Sequence, residues 1–198
     1  MMDEKGYIKF NCHWLKDKPV DTKWIEQLNI WRDKLYHLKL VGAYPNGIGF
    51  GNISTRLKGK QFLITGSATG NNQHLSNKHY TRVTSYNFAE NTLTCKGPIQ
   101  ASSESLTHAA VYEADKEINA VIHIHSKNLW NKLLQVIPTT SPSVEYGTPQ
   151  MAMEIQRLFK ETDLNSKKIL VMAGHEEGII SFGKDLEEAG NLILSYFN

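Results

Sequence analysis

The sequence predicts an α/β protein in which helices are layered on a central, largely antiparallel sheet. Short strand-like segments joined by turns occur at 83–86 and 92–95, and again at 168–172 and 178–182. Around these segments, apolar residues recur at the spacing of amphipathic helices. Strands that follow each other through a short turn pair antiparallel, and amphipathic helices must cover the sheet on which they pack.

Length and composition are those of one ordinary globular domain, which we expect to span residues 1–198. Hydrophobic residues make up 40% and charged residues 21% of the 198 positions, enough for a substantial core. A net charge of +2 gives no argument for a nucleic-acid partner, and no apolar run approaches the ~20 residues of a membrane span. Cys12 and Cys95 show neither metal-ligand spacing nor a disulfide framework, which favours the reducing cytoplasm.

The first elements are an extended segment and a long helix. Residues 7–14 alternate loosely, which predicts an edge strand or an ordered arm. Residues 21–22 then open a helix that ends by Gly42. Trp24 and Trp31 fall at the helical spacing of its apolar residues, so we expect both in the core.

A glycine-rich stretch at 44–56 precedes a short apolar strand at 62–65. Its closely spaced glycines allow close backbone approach or tight bending. The dinucleotide-binding fingerprint does not fit, because neither a preceding strand nor a following helix is evident. The loop at 66–70, which follows the apolar strand, offers backbone amides and hydroxyls to an anion.

The stretch 102–125 concentrates most of the candidate chemistry. Ser102 or Ser103 is a suitable N-cap for a helix, and Glu104 then falls in the first turn, where the helix dipole favours a negative charge. From 120 to 125 the pattern changes to the period-two alternation of a strand. The sequence therefore predicts a helix that leads into a strand.

Three histidines are candidate metal ligands. His123 and His125 are two residues apart, so both point to one face of the predicted strand. His175 follows an apolar strand at a turn, where side chains project from a rigid scaffold. Catalytic zinc sites typically combine three protein ligands with an open position, so we expect Zn²⁺ or another divalent ion here. The alternative is that the first two histidines merely line an exposed sheet face.

The remaining helices follow from capping residues. Residues 126–136 form a short helix with one apolar side. Thr148 and Pro149 suit the N-cap and first position of the next helix, and Asp185 suits the N-cap of the last one.

Four short motifs occur in the order seen in a known family. They are Gly51-Asn52-Ile53-Ser54, Ser102-Ser103-Glu104, the His123-x-His125 strand, and His175 ahead of the segment 178–183. Together they resemble the class II aldolase/adducin family, which includes sugar-phosphate aldolases, epimerases and dehydratases. The similarity covers nearly the whole chain.

This resemblance implies a three-layer α/β/α fold and a homotetramer whose sites lie near subunit interfaces. It implies a metal-dependent aldehyde-lyase that cleaves a small, phosphorylated ketose by a retro-aldol reaction. A sugar-phosphate epimerase or a dehydratase would use the same scaffold. A non-catalytic, adducin-like protein would be expected to lose the metal ligands, and this chain has all three.

The resemblance also implies roles for individual residues. By this resemblance, His123, His125 and His175 bind the metal, and Glu104 transfers protons. The residues that would bind a substrate phosphate are Asn52, Thr65, Gly66, Ser102 and Ser103. A second pair, Thr69-Gly70, fits the family pattern as well, and Thr65-Gly66 is preferred because it lies directly at the strand end.

One departure from the family pattern lies beside the third histidine. Family members usually have glycine there, whereas Glu176 and Glu177 separate His175 from Gly178 in this chain. Either glutamate could bind the metal, act as the base, or lengthen a solvated turn. Tyr146 is the nearest remaining phenol that could donate a proton, and the sequence assigns it no definite role.

Overall fold

An eight-stranded sheet forms the centre of the structure, a computed structural model that describes residues 8–197. Within these residues the strands are β1 (Asn11–Lys16), β2 (Gly42–Ala43), β3 (Gly49–Phe50), β4 (Asn52–Arg56), β5 (Phe62–Thr65), β6 (Tyr80–Asn87), β7 (Thr92–Gly97), β8 (Ala120–His125), β9 (Ile169–Val171) and β10 (Gly178–Gly183). The helices are α1 (Glu26–His37), α2 (Ser105–Ala114), α3 (Lys127–Leu133), α4 (Pro149–Glu161), α5 (Leu164–Lys167) and α6 (Leu186–Phe197).

The sheet is largely antiparallel, as predicted. Its strand order is β1-β7-β6-β5-β4-β8-β10-β9, and β2 pairs only with β3 in a separate small sheet. The pairing of β1 with β7 is parallel, and the other neighbouring strands of the large sheet are antiparallel. The two predicted hairpins are β6–β7 and β9–β10. Strand β8 therefore lies inside the sheet, between β4 and β10.

Helices cover both faces of the sheet, which confirms the three-layer α/β/α architecture. On one face, α2 and α4 pack against apolar side chains of the central strands. On the other face, α1, α3 and α6 do the same. Strand β8 contributes to both cores, because Val121 faces the first layer while Ile122 and Ile124 face the second. No helix within residues 8–197 is both long enough and apolar enough to cross a membrane.

The N-terminal predictions are confirmed in part. Strand β1 is an edge strand, although Tyr7, where the predicted segment begins, lies outside the described residues. Trp31 is buried in α1, but the prediction for Trp24 is wrong, because its side chain is 55% exposed. The reason is a short 3₁₀ turn at Thr22–Trp24 ahead of α1, which takes Trp24 out of the phase of the helix that follows.

The predicted N-cap of α2, at Ser102 or Ser103, is also wrong by one or two residues. The helix begins at Ser105, so Glu104 occupies the N-cap position instead of the first turn. Residues 103 and 104 form a turn, in which the Ser105 amide and hydroxyl both donate to the Ser102 carbonyl. The other predicted caps are confirmed. The Thr148 side chain accepts from the Met151 amide, and the Asp185 side chain accepts from the Glu188 amide.

Helices α1 and α6 pack through a glycine. A β-carbon at Gly190 in α6 would lie 2.1 Å from Cζ3 of Trp31 in α1, closer than two carbon atoms can approach. The missing side chain therefore lets the indole ring lie against the backbone of α6.

We predict that Gly190→Ala destabilises the fold although alanine is the better helix former. Overpacking costs about 1–3 kcal/mol, against a propensity gain of about 1 kcal/mol. In a Trp31→Leu background, where the ring is absent, the same substitution should be neutral or stabilising. Urea unfolding of both single variants and the double variant measures this coupling.

The control is Asn191→Ala, which changes an exposed neighbour in the same helix. Equal effects of Gly190→Ala in the wild-type and Trp31→Leu backgrounds would show that the indole contact does not limit this position.

Candidate metal centre

Three histidines converge at one end of β8. His123 and His125 lie on the same face of this strand, opposite Asn52 of β4 and Gly178 of β10 respectively. His175 lies in the turn between β9 and β10, beside the end of β8. The strand alternation and the hairpin therefore bring together three side chains that are far apart in sequence.

The geometry of this cluster suits a single metal ion. One ring nitrogen from each of His123, His125 and His175 lies within 4.8 Å of the others, and all three side chains are buried. The Nε2 atoms of His125 and His175 are 3.1 Å apart. Neither ring nitrogen of His123 has a hydrogen-bond partner among residues 8–197. Buried polar atoms without partners are costly, and an ion bound by the cluster would satisfy one of the two.

Electrostatics keep at least one of these rings neutral. Burial holds the pKa of His123 well below its usual range, and the neighbouring His125 and His175 lower it further. A neutral imidazole is the form that binds a metal ion. The residues present therefore fit a divalent ion such as Zn²⁺.

Glu104 lies next to the histidines at the start of α2. Its side chain is almost fully buried, and its Oε1 is 3.4 Å from Nε2 of His175. Burial raises the pKa of Glu104 to about 7, against the opposing effects of the Thr107 hydroxyl and the charge of Lys9. A helix-end charge exposed to water would not have these properties, so its placement favours a role in the site.

A cavity of about 190 Å³ opens over the histidines. Its walls include most of the residues singled out from the sequence, namely Asn52, Gly66, Ser102, Ser103, Glu104, His123, His125 and His175. No lysine or arginine of the described residues lines it. Its polar surface therefore consists of amides, hydroxyls, imidazoles and one carboxylate.

The predicted anion-binding residues are only partly brought together. The Asn52 side-chain amide donates to the Ser102 hydroxyl at 3.1 Å, which joins two of the predicted residues at the cavity wall. Thr65 does not line the cavity, and its hydroxyl accepts from the Ile53 amide at 3.3 Å. Thr69 lines the cavity instead, and its hydroxyl donates to the Gly66 carbonyl. This placement argues against direct contact by Thr65 and favours the second threonine.

A buried arginine lies behind the loop at 66–70. The Arg32 guanidinium donates to the carbonyl oxygens of Gln73, Gly70 and Thr69, at 2.6, 3.3 and 3.5 Å. Its side chain is only 4% exposed, and no ion pair with a carboxylate is present within residues 8–197. Arg32 therefore fixes the loop by its carbonyls and places a buried positive charge beside it.

Sequence reasoning missed the aromatic wall of the cavity. The Tyr44 ring packs on Phe50 at 4.6 Å, and Phe50 packs on His125 at 5.5 Å between ring centroids. Tyr146, which the sequence left without a role, packs against His175 with the ring centroids 4.5 Å apart and the rings tilted by 45°. Local sequence patterns did not identify Tyr44 or Phe50 as site residues. Both are placed at the site by the small β2–β3 sheet, which the sequence did not predict.

His108, four residues after Glu104, is not part of the histidine cluster. Its Nδ1 is 2.7 Å from the Ser54 hydroxyl, which also contacts the Tyr112 hydroxyl at 2.8 Å. Burial lowers the pKa of His108 to about 3, so the ring is neutral. His108 therefore makes a local hydrogen bond between α2 and β4.

Solved structures with this fold include several aldolases. An L-fuculose 1-phosphate aldolase superimposes with a TM-score of 0.66 at 18% identity, covering 89% of this chain and 82% of that one. A sugar-phosphate aldolase from Thermotoga maritima gives 0.67 at 16% identity, with coverages of 88% and 90%. The L-fuculose-1-phosphate aldolase from Thermus thermophilus gives 0.59 at 20% identity, with coverages of 89% and 87%. At such identities the likeness shows the fold alone.

Sequence comparison gives the family directly. No curated protein shows a significant match to this chain. Residues 46–196, however, match the family described as Class II Aldolase and Adducin N-terminal domain. This segment contains the histidine cluster, Glu104 and the loop at 66–70, and it extends over most of the chain. The protein therefore belongs to the class II aldolase and adducin family.

Proposed function

We propose that this protein is a metal-dependent aldehyde-lyase that cleaves a small, phosphorylated ketose by a retro-aldol reaction. The observation that carries the proposal is the buried cluster of His123, His125 and His175 with Glu104 beside it, at the base of a cavity. A scaffold protein without activity has no need to bury four such groups together, since each costs free energy unless it is satisfied.

The three imidazoles are the proposed ligands of the ion. As neutral ligands, they leave the charge of a divalent cation undiminished. When bound, such an ion supplies a Lewis acid that polarises a carbonyl oxygen, and zinc suits an all-imidazole site. The cavity leaves the open side of the cluster accessible to a small molecule.

Glu104 is the proposed proton carrier. In a retro-aldol cleavage, the hydroxyl on the carbon that becomes the aldehyde loses its proton. The carbon–carbon bond then breaks, and its electron pair passes to the carbon next to the ketone, which must gain a proton. Glu104 accepts the first proton as a carboxylate and returns it as a carboxylic acid, so atoms and charge balance. Burial raises the pKa of Glu104 and favours the carboxylic acid, and a cation at the histidines would favour the carboxylate, so both forms are available to the reaction.

The phosphate is proposed to bind at the other wall of the cavity. Asn52, Ser102 and Ser103 offer side-chain donors there, and the loop from Gly66 to Gly70 offers backbone amides. Thr65 supports this wall as a positioning residue, because its hydroxyl accepts from the Ile53 amide at the start of the loop. The buried charge of Arg32 supports an anionic substrate, because it raises the potential beside the loop without occupying the cavity.

The proposal extends to assembly and location. We propose a homotetramer, by similarity to the family. Exposed apolar side chains such as Trp24, Ile30 and Met153 provide surface for subunit contacts. A cytoplasmic location agrees with Cys12 and Cys95, which are both free thiols although their sulfur atoms are only 3.7 Å apart.

We predict about one equivalent of zinc or another divalent metal per chain in protein purified without a chelator or a His-tag. His123→Ala and His175→Ala should each abolish stoichiometric binding, because two ligands cannot hold the ion as tightly as three. Elemental analysis measures the content. His74→Ala, at an exposed histidine, is the matched control. Unchanged metal in both site variants would refute the site.

We predict that the metal-loaded protein releases an aldehyde and dihydroxyacetone phosphate from at least one ketose 1-phosphate in a panel. On that substrate, Glu104→Gln should keep its metal and lose about 10²–10⁴-fold in turnover, the usual worth of a positioned general base. Coupled reduction of the product measures the rate. Glu117→Gln, at an exposed glutamate, should have no effect.

Two results would contradict this prediction in different ways. Loss of metal from Glu104→Gln, with activity restored by added metal, would make Glu104 a ligand. The absence of cleavage across the panel, with metal bound, would refute the retro-aldol assignment while leaving the metal site intact.

We predict that Arg32→Met weakens binding of a phosphorylated ketose by roughly tenfold, equivalent to about 1.4 kcal/mol. Binding of the same sugar without its phosphate should change little. Arg32→Lys, which keeps the charge, should lie between the wild type and Arg32→Met. Titration calorimetry with both sugars gives the ratio. Arg82→Met removes an exposed arginine outside the cavity and serves as the control. Equal weakening of both sugars would indicate collapse of the loop instead.

A further inference from the structure

A chain of two hydrogen bonds joins a candidate metal ligand to one of the glutamates that depart from the family pattern. The Tyr44 hydroxyl is 2.8 Å from Nδ1 of His125 and 2.6 Å from Oε2 of Glu177. The direct distance from Nδ1 of His125 to Oε2 of Glu177 is 3.8 Å, too long for a hydrogen bond. Tyr44 therefore connects the two residues.

The chemistry of the three groups sets the direction of these bonds. An ionised carboxylate only accepts, so the Tyr44 hydroxyl donates its single proton to Glu177. The tyrosine oxygen must then accept from Nδ1 of His125, which carries the ring proton. In a neutral ring, Nε2 of His125 then keeps its lone pair, and this is the atom that faces Nε2 of His175 at 3.1 Å. The hydrogen bonds therefore favour the tautomer in which Nε2 is ready to bind an ion.

The backbone supports a specific function for Glu177. Its φ of +71° lies in the left-handed region, where glycine is preferred and other residues are strained. Its carbonyl accepts from the Ser126 amide at 3.0 Å, which ties the turn to the residue after β8. The strained turn thus brings the carboxylate to the Nδ1 side of His125, away from the metal-facing Nε2. This side of the ring suits a positioning residue and not a ligand.

The adjacent glutamate behaves differently. Glu176 has a side chain 53% exposed to solvent, where it lies 3.6 Å from the Lys127 ammonium. The two glutamates therefore have distinct environments, although they are neighbours of the same type.

We propose that Tyr44 and Glu177 form a positioning relay, which holds His125 in the Nδ1-protonated tautomer and aims its Nε2 at the ion. The inference rests on the proposed metal site. Phe50 packs against the rings of Tyr44 and His125, which restricts their rotation and so supports the relay. Partners of this kind on the remote nitrogen of a metal-binding histidine typically contribute about 10–100-fold to metal affinity.

The first test uses metal-free protein. Long-range ¹H–¹⁵N NMR at about pH 8, well above the ordinary histidine pKa of about 6.5, reports which ring nitrogen carries the proton. We expect His125 to be protonated at Nδ1 in the wild type and to shift towards the Nε2-protonated form in Tyr44→Phe. A wild-type ring protonated at Nε2, or no change in Tyr44→Phe, would overturn the relay.

The second test measures zinc affinity by competition with a chromophoric chelator. Tyr44→Phe and Glu177→Gly should each bind zinc about 10–100-fold more weakly. Glu177→Gly removes the carboxylate but relieves the backbone strain, so its melting temperature without metal should not fall. Glu176→Gln is the matched control and should bind zinc like the wild type.

The outcomes separate this inference from the proposed function. Wild-type protein that binds no zinc would refute the metal site, and the NMR experiment would still test the hydrogen-bond chain. Wild-type affinity in Tyr44→Phe would refute the relay alone. Loss of zinc in Glu177→Gly with normal affinity in Tyr44→Phe would instead make Glu177 a direct ligand.

Discussion

The site depends on the removal of three imidazoles and one carboxylate from water. Burial holds the pKa of His123 well below its usual range and raises that of Glu104 to about 7. Protonated histidines would repel a cation and each other, whereas neutral rings are metal ligands. The same burial lowers the local dielectric and strengthens every interaction with a charge that enters the cavity. A single physical condition therefore prepares both the proposed ligands and the proposed proton carrier.

The sheet makes this burial possible. Strand β8 is bonded to β4 on one side and β10 on the other, so its backbone is satisfied without water. Its alternation then directs Ile122 and Ile124 into one core and His123 and His125 towards the cavity. A strand at the sheet edge would leave the histidines more exposed and their spacing less rigid. Placing two of the three candidate ligands on a central strand thus provides preorganisation that a loop alone could not.

The sequence allowed prediction of those features of the fold and site that depend on local periodicity. The shared face of His123 and His125 follows from strand geometry, and the antiparallel hairpins follow from short turns. The parallel pairing of β1 with β7 has no local signal. The sequence favoured Thr65 over Thr69, but the Thr65 side chain does not line the cavity. The direction of a side chain at a strand end depends on tertiary packing. Tyr44 and Glu177 are 133 residues apart in the sequence. Their hydrogen bond, and the link through Tyr44 to His125, could therefore be found only from the three-dimensional structure.

Charge balance links the two halves of the cavity. The phosphorylated substrate that we propose would bring negative charge to a space that already contains Glu104 and that no lysine or arginine of residues 8–197 lines. Amides and hydroxyls can orient a phosphate, but they do not neutralise it. Positive charge near the cavity comes from Lys9, which lowers the pKa of Glu104, and from Arg32 behind the loop, and an ion bound at the histidines would add to it. If the proposed function holds, an ion and an anionic substrate would attract each other in this cavity, so their binding would be thermodynamically coupled.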